Sequence, residues 1–170
     1  MKYPSSRWCG LLGVVLGLVG CAGDSPTPLE PPAASLGLAG GNIQLLTCSP
    51  LPYAKSSASI GSEGGTLVFG PHTLVVPRGA LANRVTITAE VIPDSVNSVR
   101  FSPEGLQFAK SAALSLSYSN CFGMGMQLPK QVAYTSESLS ILELLQSVDS
   151  LAQRRVVGQL KHFSRYAVAY

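Results

Sequence analysis

Val85-Thr86-Ile87-Thr88-Ala89-Glu90-Val91 places an apolar side chain at every second position, with Thr86, Thr88 and Glu90 between them. Leu114-Ser115-Leu116-Ser117-Tyr118-Ser119 repeats the pattern with serines as the polar partners. Successive side chains of an extended chain point to opposite faces, so a period of two marks a strand with one face buried and the other wet. Working outward, shorter strands are expected at Ile43 to Thr47, Thr66 to Phe69, His72 to Val76, Val96 to Phe101, Gln131 to Thr135 and Val156 to Leu160, with a final strand from His162 to Tyr170. Gly64-Gly65, Gly70-Pro71, Pro77-Arg78-Gly79, Pro93-Asp94 and Pro103-Glu104-Gly105 separate them as turns. Many short strands with turn signals about every ten residues predict an all-β fold, an antiparallel β-sandwich over residues 43–170. Ser138 to Ala152 fits either a short helix or a strand pair turned at Ser147-Val148-Asp149, and its β neighbours favour the pair.

The N-terminus reads differently. Lys2 and Arg7 form a basic start, and Leu11 to Gly20 is apolar without a charge. A membrane-spanning helix needs roughly 20 apolar residues, so this run is too short and reads as the core of an export signal, residues 1–20. Leu18-Val19-Gly20-Cys21 resembles a lipobox, in which the thiol receives a diacylglycerol and the chain is cut just before it. Cleavage would leave Cys21 acylated as the first residue, and several acyl chains make a stable anchor where one is marginal. The alternative is an ordinary secretory signal with Cys21 as an incidental thiol. Asp24 is the first acidic residue after Cys21, which by analogy with Gram-negative sorting favours the outer membrane; the expected location is the bacterial cell envelope, facing periplasm or exterior.

Residues 21–42 carry Pro26, Pro28, Pro31 and Pro32, then Leu36-Gly37-Leu38-Ala39-Gly40-Gly41, with no sustained period. This is the composition of a tether, extended where proline dominates and flexible where glycine does. The remainder, in a mature chain of about 150 residues, is long enough for one real core. Without Lys2 and Arg7 its basic and acidic residues nearly balance, so nothing points to nucleic acid as a partner. Membrane contact through acyl chains, a protein partner or a cell-wall glycan remain.

Of four cysteines, Cys9 leaves with the signal and Cys21 carries lipid, which leaves Cys48 and Cys121. Two thiols in a small exported domain are expected to pair, the alternative being two separate buried thiols. Neither belongs to a C-x-x-C pair, and His72 and His162 stand far apart, so no metal site is read and no cofactor is called for.

Ile60-Gly61-Ser62-Glu63-Gly64-Gly65-Thr66-Leu67, His72-Thr73-Leu74-Val75-Val76-Pro77-Arg78-Gly79-Ala80-Leu81, Val85-Thr86-Ile87-Thr88 and Phe101-Ser102-Pro103-Glu104-Gly105-Leu106-Gln107-Phe108 together resemble the ZU-5 domain, a β-sandwich module of ankyrins, netrin receptors and bacterial surface proteins. The similarity covers Ser59 to Tyr118, and His162 to Val168 resembles a closing strand of bacterial versions. It implies a non-catalytic scaffold or interaction module. In some eukaryotic relatives an H-F-S tripeptide cleaves its own backbone between Phe and Ser, and His162-Phe163-Ser164 is that tripeptide. Ser164 Oγ would attack the Phe163 carbonyl carbon with His162 assisting proton transfer, which requires a distorted backbone. On a regular strand His162 and Ser164 share a face; the plainer reading makes them members of a terminal strand, with His162 partly exposed and Phe163 in the core.

No G-x-S-x-G elbow, H-E-x-x-H helix or phosphate-cradling loop is present, and Glu63, Glu90 and Glu104 are scattered. Trp8 leaves with the signal, so a carbohydrate-binding module, the third reading, would have to use Tyr53, Tyr118, Tyr134, Tyr166 or Tyr170, most of which are expected to pack inside.

Overall fold

The computed structural model describes residues 43–170. The signal, Cys21 and the tether of residues 21–42 lie outside the described residues.

Eleven strands run in chain order: β1 Ala54–Ile60, β2 Gly65–Phe69, β3 His72–Val76, β4 Val85–Pro93, β5 Asn97–Ser102, β6 Gln107–Ser117, β7 Gln131–Thr135, β8 Ile141–Leu144, β9 Ser147–Ser150, β10 Arg155–His162 and β11 Arg165–Ala169. They form a six-stranded sheet in the order β1-β4-β5-β11-β7-β8 and a five-stranded sheet in the order β2-β3-β6-β10-β9. Every pairing is antiparallel, and the two sheets pack as a β-sandwich.

The alternation read from the sequence is what fills the space between the sheets. Ile87, Ala89 and Val91 of β4 and Ala112, Leu114 and Leu116 of β6 are buried, and their polar neighbours face outward. Phe101 is the hub: its ring stacks on Phe163 at 4.8 Å between centroids and meets Phe69 edge-on at 5.5 Å. Phe108 closes the layer from β6, edge-on to Phe163 at 5.0 Å. Gly64 turns β1 into β2 with φ of 77°, where a Cβ would sit 2.5 Å from the Val76 carbonyl oxygen. That position therefore accepts glycine for both conformation and space.

Three expectations need correction, and one strand carries no clear sequence signal. Ile43 to Thr47 is not a strand: Leu45 bridges Ala169 and Thr47 bridges Val96, so the segment crosses from β11 toward β5 and pairs continuously with neither. β1 escapes the sequence pattern, because Ala54, Ser56 and Ala58 are small and give a faint apolar alternation. Ser147-Val148-Asp149 is not a turn; it belongs to β9, the chain turns at Leu145-Gln146, and β8 and β9 lie in different sheets. Leu145, buried, is the pivot of that crossing. Finally, His162 to Tyr170 is not one strand: β10 ends at His162 in the five-stranded sheet, and β11 begins at Arg165 in the six-stranded one.

Candidate functional site

Phe163 and Ser164 are the link by which the chain changes sheet, so the H-F-S tripeptide sits on a corner. The corner is fastened by backbone hydrogen bonds to the β5–β6 region. Phe163 N–H donates to the Leu106 carbonyl at 2.9 Å, Gly105 N–H donates to the Phe163 carbonyl at 3.0 Å, and Phe101 N–H donates to the Ser164 carbonyl at 3.1 Å. The Phe163 ring is buried and Ser164 is half-buried.

His162, at the end of β10, turns toward aromatic rings of the other sheet. Its ring lies edge-on to Tyr134 at 5.0 Å and tilted to Tyr166 at 6.3 Å. The Tyr166 hydroxyl donates to the His162 carbonyl at 2.6 Å and stands 3.4 Å from Nδ1. A hydroxyl has one proton, so while it goes to the carbonyl the phenol oxygen can only accept from the ring. Among the described residues no hydrogen bond joins the His162 imidazole to the Ser164 hydroxyl. Non-glycine residues with positive φ are confined there to Leu139 at 64° and Arg154 at 49°, so the Phe163–Ser164 peptide carries no strain of that kind.

Beside this corner opens a cleft of about 270 Å³, lined by His162, Tyr166, Glu143, Lys161, Gln159 and Ser111 among others. Burial pushes the Tyr166 phenol pKa well above its ordinary value, with Tyr134 and Glu143 adding to the shift. The phenol therefore stays protonated and acts as a donor. No sequence signal points to Tyr134, Tyr166 and Glu143 as His162's surroundings, since they come from β7, β11 and β8.

Cys48 and Cys121 form a disulfide that closes a sequence separation of 73. Around it, Asn97 Nδ2 donates to the Ser117 carbonyl at 2.8 Å and to Asn120 Oδ1 at 2.7 Å, while Asn120 Nδ2 donates to the Ser49 carbonyl at 2.6 Å. The segment entering the domain is thereby tied both to β5 and to the loop after β6.

Other buried polar groups serve the frame. Arg165 Nη2 donates to Asp94 Oδ2 at 2.7 Å and to Ser98 Oγ at 2.9 Å, and Nη1 donates to the Glu137 carbonyl at 2.6 Å. Tyr118 donates to Asp149 Oδ1 at 2.7 Å, and Lys130 N–H donates to Asp149 Oδ2 at 2.9 Å. The Lys130 ammonium donates to the Leu128 carbonyl and lies 5.3 Å from the Tyr118 ring centroid. Burial lowers its pKa, against the pull of Asp149.

Of the tyrosines considered for sugar stacking, Tyr118 and Tyr166 are fully buried and offer no face, Tyr134 and Tyr170 are half-buried, and Tyr53 is exposed. Among the described residues no group of three His, Cys, Asp or Glu side chains could hold a metal ion, and no helix is long and apolar enough to cross a membrane. Neither a family model nor a curated protein matches the chain. The arrangement as a whole offers surfaces and a small cleft on a double sheet.

Proposed function

We propose that this chain is a lipoprotein of the bacterial cell envelope, held by acyl groups on Cys21, whose ZU-5-like β-sandwich is a non-catalytic interaction or scaffold domain. The observation that carries the reading is the Cys48–Cys121 disulfide downstream of a signal that ends in Leu18-Val19-Gly20-Cys21. Disulfides persist in oxidising compartments, so the bridge and the leader independently favour export. The interaction role rests on the sandwich and on the ZU-5 resemblance.

Intact-protein mass spectrometry of the membrane-extracted chain, denatured before and after reduction, tests it. The expected mass is that of a chain starting at Cys21 plus acyl groups, rising by two hydrogens on reduction. A mass starting at Met1 without lipid would overturn the anchor.

A second reading, self-cleavage between Phe163 and Ser164, is favoured by one observation: the Gly105 N–H bonded to the Phe163 carbonyl is a donor of the kind that stabilises an oxyanion. The orientation of His162 toward Tyr134 and Tyr166 weighs against it. The same spectrum separates the two, because cleavage would remove the mass from Ser164 onward.

A further inference from the structure

We infer that the end of the sandwich where the upstream chain joins it is a membrane-docking foot, whose apolar loop Phe122 to Leu128 inserts among lipid headgroups; this rests on the lipoprotein reading above. Gln44 and Tyr170 exchange backbone hydrogen bonds at 3.2 and 3.0 Å, so the chain reaches the domain beside the end of β11. The Tyr170 ring in turn packs on Gly125, where a Cβ would lie 2.6 Å from it. Gly125 belongs to the 3-10 turn Met124–Gln127, and the point of attachment and this loop are therefore neighbours.

The loop is built to meet something apolar. Met124 is 92% exposed, Phe122 54% and Leu128 49%, and Leu151, 53% exposed, stands across a groove of about 470 Å³ lined by Phe122, Met126 and Arg154 as well. Apolar side chains exposed together mark a contact surface rather than a random surface residue.

Charge separates the two ends of the molecule. Ile43 to Tyr53 and Tyr118 to Pro129 contain no charged residue. The two carboxylates nearby are engaged: Asp94 by Arg165, and Asp149 by the Tyr118 hydroxyl and the Lys130 N–H. The cation that lines the groove, Arg154, carries the sign that suits anionic lipid. At the opposite end, by contrast, Glu63 pairs with Arg84 and Lys110 donates to the Arg78 carbonyl, while Glu104 is exposed.

The length of the upstream chain decides for lipid over another occupant. Cys21 lies 22 positions before Ile43, so an acylated Cys21 would hold the domain within about 75 Å of the bilayer, the fully extended limit. Tethering at such a distance gives an effective concentration on the order of millimolar, so a lipid affinity too weak to hold a free protein suffices.

The test uses the full chain with Trp8→Phe, acylated, and reconstituted into vesicles of phosphatidylethanolamine and phosphatidylglycerol with or without brominated acyl chains. Met124→Trp places a fluorophore on the foot, and Glu104→Trp places one at the far end. The expected result is a blue-shifted emission in M124W that brominated lipid quenches, and solvent-like, unquenched emission in E104W. Unquenched, solvent-like M124W in protein whose mass proves acylation overturns the foot while the lipoprotein reading stands. A blue shift that depends on protein concentration and ignores bromine overturns it in favour of a second copy. Should the mass show no acyl groups, the lipoprotein reading falls, and the foot, whose weak lipid affinity needs that anchor, falls with it.

Discussion

The imidazole of His72, on β3, accepts the backbone N–H of Ser117, on β6, through Nδ1 at 3.1 Å, deep between the sheets. Its Nε2 has no partner, Phe69 lies 5.7 Å away, and burial, reinforced by Arg155, depresses the pKa from 6.5 to about 4. The unfolded chain thus binds a proton that the folded chain refuses. His72's contribution is complete above the unfolded value and is lost as pH falls from 6.5 toward about 4, a range worth roughly 3 kcal/mol. Urea denaturation from about pH 7.5 to about pH 4.5 should show this slope in the wild type and a flatter one in His72→Asn, whose amide oxygen can still accept from Ser117. Equal slopes would place the acid sensitivity elsewhere.

Cys48→Ala with Cys121→Ala should lower stability by roughly 4 kcal/mol, the chain-entropy value for a sequence separation of 73. Denaturant midpoints of the oxidised wild type and the double variant measure it. The loss should appear without change in the far-ultraviolet spectrum, because the strands do not depend on the bridge for their hydrogen bonds.

Gly158, in the middle of β10, faces Val132 of β7 across the sandwich, and a Cβ there would stand 2.6 Å from the Val132 Cβ. Gly158→Ala should therefore cost roughly 1–3 kcal/mol through overpacking. Combining it with Val132→Ala should recover part of that loss in a double-mutant cycle. Strict additivity would mean that the two residues do not meet.

Asp94→Ala should destabilise by about 3 kcal/mol, at the lower end for a broken buried pair because Asp94 is partly open to solvent. Its two oxygens accept from Val96 N–H, Ser98 Oγ and Arg165, so the loss exceeds that of one ion pair. Arg165→Met in the same background should add little, since the charge left unpaired is then gone. Thermal melts of the three proteins give the comparison.

The sandwich was legible where alternation was strong and side chains were large. β4 and β6 announce themselves through Ile87, Val91, Leu114 and Leu116, and the disulfide is one of the two outcomes that the sequence leaves for Cys48 and Cys121. The hidden part is set by partners distant in sequence. Nothing local says that Phe163 and Leu145 mark crossings between sheets, because a strand that ends in one sheet and a strand that begins in the other look like one run of apolar residues. Nor could spacing show that His162 meets Tyr134, which is brought from β7 through the pairing of β7 with β11. The foot loop is silent in the sequence for a simpler reason: Gly123 and Gly125 interrupt any period, and exposure is not written in residue type.

β11 occupies an inner position, with β5 on one side and β7 on the other, although it comes after every other strand in the chain. Until it arrives, the six-stranded sheet is two separate pieces, each with an open edge that invites mispairing. A chain that folds as it is made must hold those edges apart until residues 165–169 emerge and close the gap. The same arrangement means that a cut at the corner before β11 would not release the C-terminal segment: wedged between two strands, the severed piece would stay as a non-covalent insert, and only unfolding would let it go.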